Sequence, residues 1–379
     1  MKVTAVIGTA IVAIGLAACG SSSTPAASPT PSPTATPSPT PTSTPTPPPP
    51  LVVTLAGTQS LRQLSLVGEN GTVAATVTVP GGIDGNAYYV GSDHVYVIDG
   101  TVVKALARDG SISVAGQIPQ LATTVTAADR QAYTTFAVSP DESTLVFGIP
   151  LAVAGDNGAT ADHSQLWIEP TGGTAASATM VYDDANNVDN GGEPLTPFGW
   201  NSTGISVSQQ PKGLGGVAPF GSFAEFGAVT FDPTTRTLGK SLQCTASNPS
   251  GSVCVTQASP ASPVPSKLQV VQSSSTTTLA MQPANAAEYG AVTVSADGRY
   301  LAYGSYIGNF AGGYYETHVV DLSTNTTVAT LRNYAPAVWL SDGRLVVGQG
   351  KYQAGAWLLS PTFTSPVKIA PDPPVGALA

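Results

Sequence analysis

A short corner recurs along this chain and limits its folding more than any other feature. It is an apolar run, a Ser/Asp/Gly turn, then a second apolar run: VGSDHVYV, FAVSPDESTLVFG, FGWNSTGISV, VTVSADGRYLAYG and VWLSDGRLVVG. Asp and Gly suit such a corner because it needs left-handed backbone angles and a local side-chain hydrogen bond. Each corner is followed by a strand, a polar or Gly-rich turn of two to four residues, and another strand. Seven such pairs are read at 64–79, 102–118, 166–182, 228–242, 268–282, 319–331 and 357–370. No segment after residue 50 keeps a helical period; alternation of apolar and polar residues dominates.

The corners repeat at intervals of about 45–50 residues, with one degenerate between Ser202 and Asp297. Four strands per unit at that period point to an all-β fold, a β-propeller. Seven blades are expected, with six or eight as alternatives because the first unit lacks an innermost strand. Two stacked β-sandwich domains are the competing architecture. SPDESTLVFG, SADGRYLAYG and LSDGRLVVG resemble the repeats of TolB-like and WD-type propellers. That resemblance spans Leu51 to about Ala370, weakens near 252–267, and implies a fold rather than an activity.

The N-terminus has a different character. Met1 and Lys2 precede an uncharged apolar run, Val3 to Ala17, too short to span a bilayer comfortably and suited to a secretion signal. Leu16-Ala17-Ala18-Cys19 resembles the lipobox of bacterial lipoproteins. The resemblance implies diacylglyceryl transfer to the Cys19 thiol and cleavage before it. Residues 21–50 then hold twelve Pro, fifteen Ser or Thr, three Ala and no charge. Such a stretch has nothing to bury and is expected to be a disordered tether, able to reach on the order of 90 Å as polyproline II. The expected organisation is a signal peptide over 1–18, a lipidated Cys19 and linker over 19–50, a propeller over 51–370 and a tail over 371–379. The expected location is the extracytoplasmic side of a bacterial membrane, at the cell surface or in the periplasm.

Composition narrows the partners. A net charge of −9, with only 14 Lys and Arg, argues against nucleic acid and against electrostatic docking to anionic lipid. Besides Cys19 the chain has Cys244 and Cys254, flanking TASNPSGSV. In an oxidising compartment they are expected to form a disulfide around a turn.

Alternating strands place the first-to-second and third-to-fourth turns of every blade on one face, which we call the corner face. The second-to-third and blade-to-blade connections fall on the other. The long connections, 149–165, 183–196, 208–224, 304–315 and 349–355, all belong to the second set, and binding is expected on that loop-rich face. Tyr306, Phe310, Tyr314 and Tyr315, with Lys212, Phe220 and Phe223, are the expected binding residues. The alternative is that the four rings of 304–315 pack beneath the loop or extend its strands. Asp183, Asp184, Asp189 and Glu193 read as a solvated turn-forming loop, with calcium as the alternative; no cofactor is expected. No Gly-x-Ser-x-Gly or His-Glu-x-x-His motif occurs, and His94, His163 and His318 are far apart in sequence. The expected function is non-catalytic binding of a protein, peptide or glycan. The alternative is a cell-envelope polymer hydrolase or lyase with its site at the mouth of a central channel.

Overall fold

The computed structural model describes residues 48–58, 61–80, 88–119, 134–153, 160–183, 195–201, 204–209, 229–241, 246–248, 250–257, 267–272, 275–308, 312–350 and 354–378. These residues form twenty-eight β-strands and no helix, arranged as seven four-stranded antiparallel sheets. The chain is a seven-bladed β-propeller.

Blade 1 combines the two ends of the propeller. Its outer three strands are β1 (Leu51–Thr58), β2 (Leu61–Val67) and β3 (Val73–Pro80). Its innermost strand is β28 (Pro374–Leu378), which pairs with β1 through Leu51↔Leu378, Val52↔Ala377 and Val53↔Gly376. The residues expected to form a tail therefore supply the missing inner strand. Their pairing partner lies more than 300 residues away, so no local pattern marks them. The inner strands of blades 2 to 7 are β4 (Tyr88–Val90), β8 (Thr135–Val138), β12 (Leu195–Asn201), β16 (Ala246–Ser247), β20 (Glu288–Val294) and β24 (Tyr334–Trp339). Around the ring β4 lies against β8, β8 against β12, β16 against β20, β20 against β24, β24 against β28, and β28 against β4.

The period-two alternation is satisfied on both faces of a blade. In β5 (His94–Asp99), Val95 and Val97 pack with Val53, Leu64 and Val79 of blade 1. Tyr96 and Ile98 pack with Phe136 and Phe147 of blade 3. A strand buried on both sides stabilises two interfaces, at about 1.5–3 kcal/mol per fully buried large apolar side chain. Between blades 6 and 7, Trp339 stacks on Tyr300 at 6.0 Å and meets Phe363 edge-on at 5.7 Å.

The recurring corner has a common geometry. Ser139 and Ser295 donate their hydroxyls to Asp141 and Asp297 at 2.6 Å, while the Thr144 and Tyr300 N–H groups donate back to those serines at 3.0 and 2.8 Å. The degenerate corner is Asn248 to Val253. There the Asn248 side chain takes the serine's part, accepting the Val253 N–H at 2.9 Å. Across the ring closure, the Arg344 guanidinium in the corner of blade 7 donates to both Glu69 carboxylate oxygens in the β2–β3 turn of blade 1.

Candidate functional site: the mouth of the central channel

The seven inner strands end around one cavity of ≈ 510 Å³. Each blade contributes to its wall, through Val90, Val138, Trp200, Ser247, Thr293, Val338 and Leu378. The corner residues Ser92, Pro140, Asn248, Ala296 and Ser341 also line it, so the cavity opens on the corner face. Every described residue lining it is uncharged. Its most exposed large apolar side chain is Phe198, 41% exposed.

Phe198 owes its position to a break in the sheet ladder. In β12, Pro197 pairs with Val207 and Gly199 with Ser206 of β13 (Gly204–Gln209), leaving Phe198 as the extra residue of a β-bulge. A bulge bends its strand and redirects a side chain that the pleat would otherwise place on a sheet face. Register shifts also interrupt β20 between Gly290 and Thr293, and β24 between Pro336 and Val338. With β28, where Val53 pairs with Gly376 but Thr54 with Pro374, the inner strands of four blades are irregular.

One side of the rim is held by Glu142, in the corner of blade 3. Its Oε1 accepts the Ser92 hydroxyl at 3.1 Å and the Asp93 and His94 N–H groups at 2.7 and 3.3 Å. Its Oε2 meets His94 Nδ1 at 2.6 Å and accepts the Tyr96 hydroxyl at 2.8 Å. Burial raises the Glu142 pKa, but the Asp93 N–H, His94 and Tyr96 outweigh it and hold the carboxyl below its ordinary range. Burial first, and Glu142 second, push the hydroxyl of neighbouring Tyr89 up to about 12. The close approach requires Gly91, because a Cβ there would lie 2.3 Å from Glu142 Oε1.

Of the expected binding residues, the three that are described do not line this cavity. Tyr306 and Tyr315 are each 4% exposed and face one another across β21 (Tyr300–Ile307) and β22 (Tyr314–Asp321), with ring centroids 4.8 Å apart. They pack with Ala335 inside the protein, so neither offers a free surface; the strands run further than the glycine-rich sequence suggests. Tyr314 is half-buried beneath the Arg332 guanidinium, 3.9 Å from the ring centroid. Asp183 ends β11 (Thr179–Asp183) and accepts the Gln165 amide at 2.7 Å. Phe310, Lys212, Phe220, Phe223, Asp184, Asp189 and Glu193 lie outside the described residues, as do Cys19 and Cys244. Cys254 sits in β17 (Val253–Gln257), opposite Ser247 and Val271. Among the described residues no three His, Cys, Asp or Glu side chains gather as a metal site.

Sequence reasoning missed Phe198, Trp200 and Glu142. The usable signal was the run immediately before each corner, YYV, FAV, FGW, VTV and AVW, which marks the channel ends of the inner strands.

No protein-family model matches the chain, and no curated protein matches it in sequence. Among solved structures, it is similar to TolB from Acinetobacter baumannii at 10% identity and TM-score 0.39, covering 87% of this chain and 82% of that one. It is similar to hydrazine synthase of Kuenenia stuttgartiensis at 10% identity and TM-score 0.39, covering 72% and 75%. It is similar to a prolyl endopeptidase at 12% identity and TM-score 0.45, covering 84% of this chain and 49% of that one. Likenesses this distant say nothing about activity. The propeller assignment rests on the order of the sheets.

Proposed function

We propose that this protein is a lipid-anchored extracytoplasmic β-propeller that binds a protein, peptide or glycan and performs no chemistry on it. The lipobox-like Leu16-Ala17-Ala18-Cys19 and the uncharged Pro/Ser/Thr tether support the anchor, with Cys19 as the acylated residue. A Cys244–Cys254 disulfide belongs to the same extracytoplasmic reading. No cofactor is part of the proposal.

The observation that carries the binding role is the mouth of the channel, to which all seven blades contribute and whose described lining is uncharged and bears aromatic rings. Rigid elements hold such a wall better than loops do. We therefore place recognition at the corner-face mouth rather than on the loop-rich face.

The hydrolase alternative has one feature in its favour: Glu142 orients His94 beside Ser92 at the rim. Yet Ser92 donates to Glu142 rather than to His94, so the nucleophile–base contact of a hydrolytic set is not made.

The test is capture of partners from envelope extract by the full chain, compared with a Gly199→Trp variant. The nearest atom to a Cβ at Gly199 is Ser206 Cβ at 3.8 Å, so a side chain can be added there to obstruct the cavity. Loss of the captured partner with retained folding is expected. Undiminished capture by the obstructed variant contradicts the proposal. Cys19→Ser is expected to release the protein from membranes.

A further inference from the structure

The chemistry of the mouth narrows what it can bind. Among the described residues, none that lines the cavity is charged. On that described wall an anionic ligand would meet no cation and a cationic ligand no carboxylate, the Glu142 carboxylate at the rim being already engaged by Ser92, Asp93, His94 and Tyr96; burying either ion without a partner is costly. Ser247, Thr293 and Ser341 line the cavity, and their hydroxyls have no hydrogen-bond partner among the described residues. They leave both donors and acceptors for a neutral polar ligand. Phe198, released from the ladder by its bulge, adds an exposed ring to the same cavity wall.

From this combination we infer that the channel mouth binds a neutral oligosaccharide, with one sugar face stacked on Phe198. A pyranose presents C–H groups on one face and hydroxyls at its edge. A cavity wall that carries both an aromatic ring and neutral hydroxyl residues complements both. The cavity of ≈ 510 Å³ lies within the ~300–1,000 Å³ that holds small ligands. A free peptide fits less well, because its charged termini would enter an unpaired site. The inference rests on the binding function proposed above and names its ligand class.

Isothermal titration of the full chain with maltotriose, cellotriose and chitotriose tests it. Trigalacturonate serves as the anionic comparator and a capped neutral tetrapeptide as the peptide comparator. At least one neutral trisaccharide is expected to bind, with trigalacturonate at least ~10-fold weaker. Phe198→Ala is expected to weaken that binding about 10-fold and Phe198→Tyr by less than ~2-fold, because tyrosine keeps the ring. Phe198 is 41% exposed, so its truncation leaves the core intact, and matched thermal melts establish this.

Failure of all three trisaccharides, sugar binding indifferent to Phe198→Ala, or Phe198-dependent binding of the tetrapeptide alone overturns the inference. If saccharides fail while Gly199→Trp still abolishes partner capture, the ligand class is wrong and the binding function stands. If both fail, the binding function falls with it.

Discussion

Glu142 Oε2 of blade 3 lies 2.6 Å from His94 Nδ1 of blade 2, which fastens two neighbouring corners at the channel rim. Glu142 occupies the fourth position of its corner with a φ of 55°, where Gly251, Gly298 and Gly343 occupy the corresponding position of three others. A non-glycine residue in that conformation costs of order 1 kcal/mol or more. The hydrogen bonds converging on its carboxylate offset that strain.

Glu142→Gln is accordingly expected to destabilise the protein by about 1–3 kcal/mol at pH 7 in urea unfolding. The folded-state pKa lies below the ordinary value. The charge-dependent part of this stability is therefore full above the ordinary carboxyl range and is lost as pH falls through the folded pKa. The gap between wild type and variant should narrow on acidification; a constant gap would mean that charge plays no part.

His318 gives a second pH signature. It is 3% exposed, stacks on Tyr303 with centroids 5.0 Å apart, and lies 3.0 Å from Ser305 Oγ and 3.5 Å from the Glu316 carboxylate. Burial pushes its pKa down to about 4. The unfolded chain takes up the proton near 6.5, so it binds more protons than the native state between those values. Stability is full above about pH 6.5 and falls by about 3 kcal/mol on acidification to about pH 4. His318→Gln should flatten urea-derived stability across that window; an unchanged slope assigns the loss to other groups.

The corner glycines separate backbone strain from packing. Gly343 has a φ of 83° and open space where a Cβ would stand, whereas a Cβ at Gly298, φ 73°, would lie 2.6 Å from Val253 Cγ2 of blade 5. Gly343→Ala is expected to cost about 1 kcal/mol from strain alone. Gly298→Ala adds the clash and should cost about 2–4 kcal/mol. Equal shifts in melting temperature would show that the blade 5–blade 6 contact yields freely.

Ring closure predicts an asymmetry between the termini. Removing 371–379 deletes β28, unpairs the inner edge of β1, and removes Leu378 from the blade 1 core. That truncation should cost more than about 4 kcal/mol or yield insoluble protein. Removing 1–47 should leave the melting temperature of the propeller within about 2 °C, since every described strand lies within the unit Pro48–Ala379. Equal tolerance of both truncations would contradict closure by β28.

Much of the ring is legible in the sequence because corners and alternation are local. The Ser-x-Asp-Gly turn states its own hydrogen bonds, and each strand reports its two buried faces. What is not legible depends on distant partners. PVGAL becomes a strand only because β1 lies beside it. Asn248 replaces the serine of the blade 3 and blade 6 corners with an amide, so the blade 5 corner does not match them in sequence. The bulge at Phe198 leaves no trace in composition, yet it puts the exposed ring at the channel mouth. GSYIGNFAGGYYE reads as an aromatic loop, but Tyr306 opposite Tyr315 is a cross-strand pair that extends the hairpin and buries both rings.

The location of the working surface can be decided by hydrogen-exchange mass spectrometry of the full chain, with and without the partner captured from envelope extract. Protection is predicted at the channel ends of the inner strands, in peptides covering 88–92, 198–201, 246–248, 293–296 and 338–341. Protection confined to the strand ends that flank 210–228 and 309–311, with no change at those inner-strand ends, would contradict it.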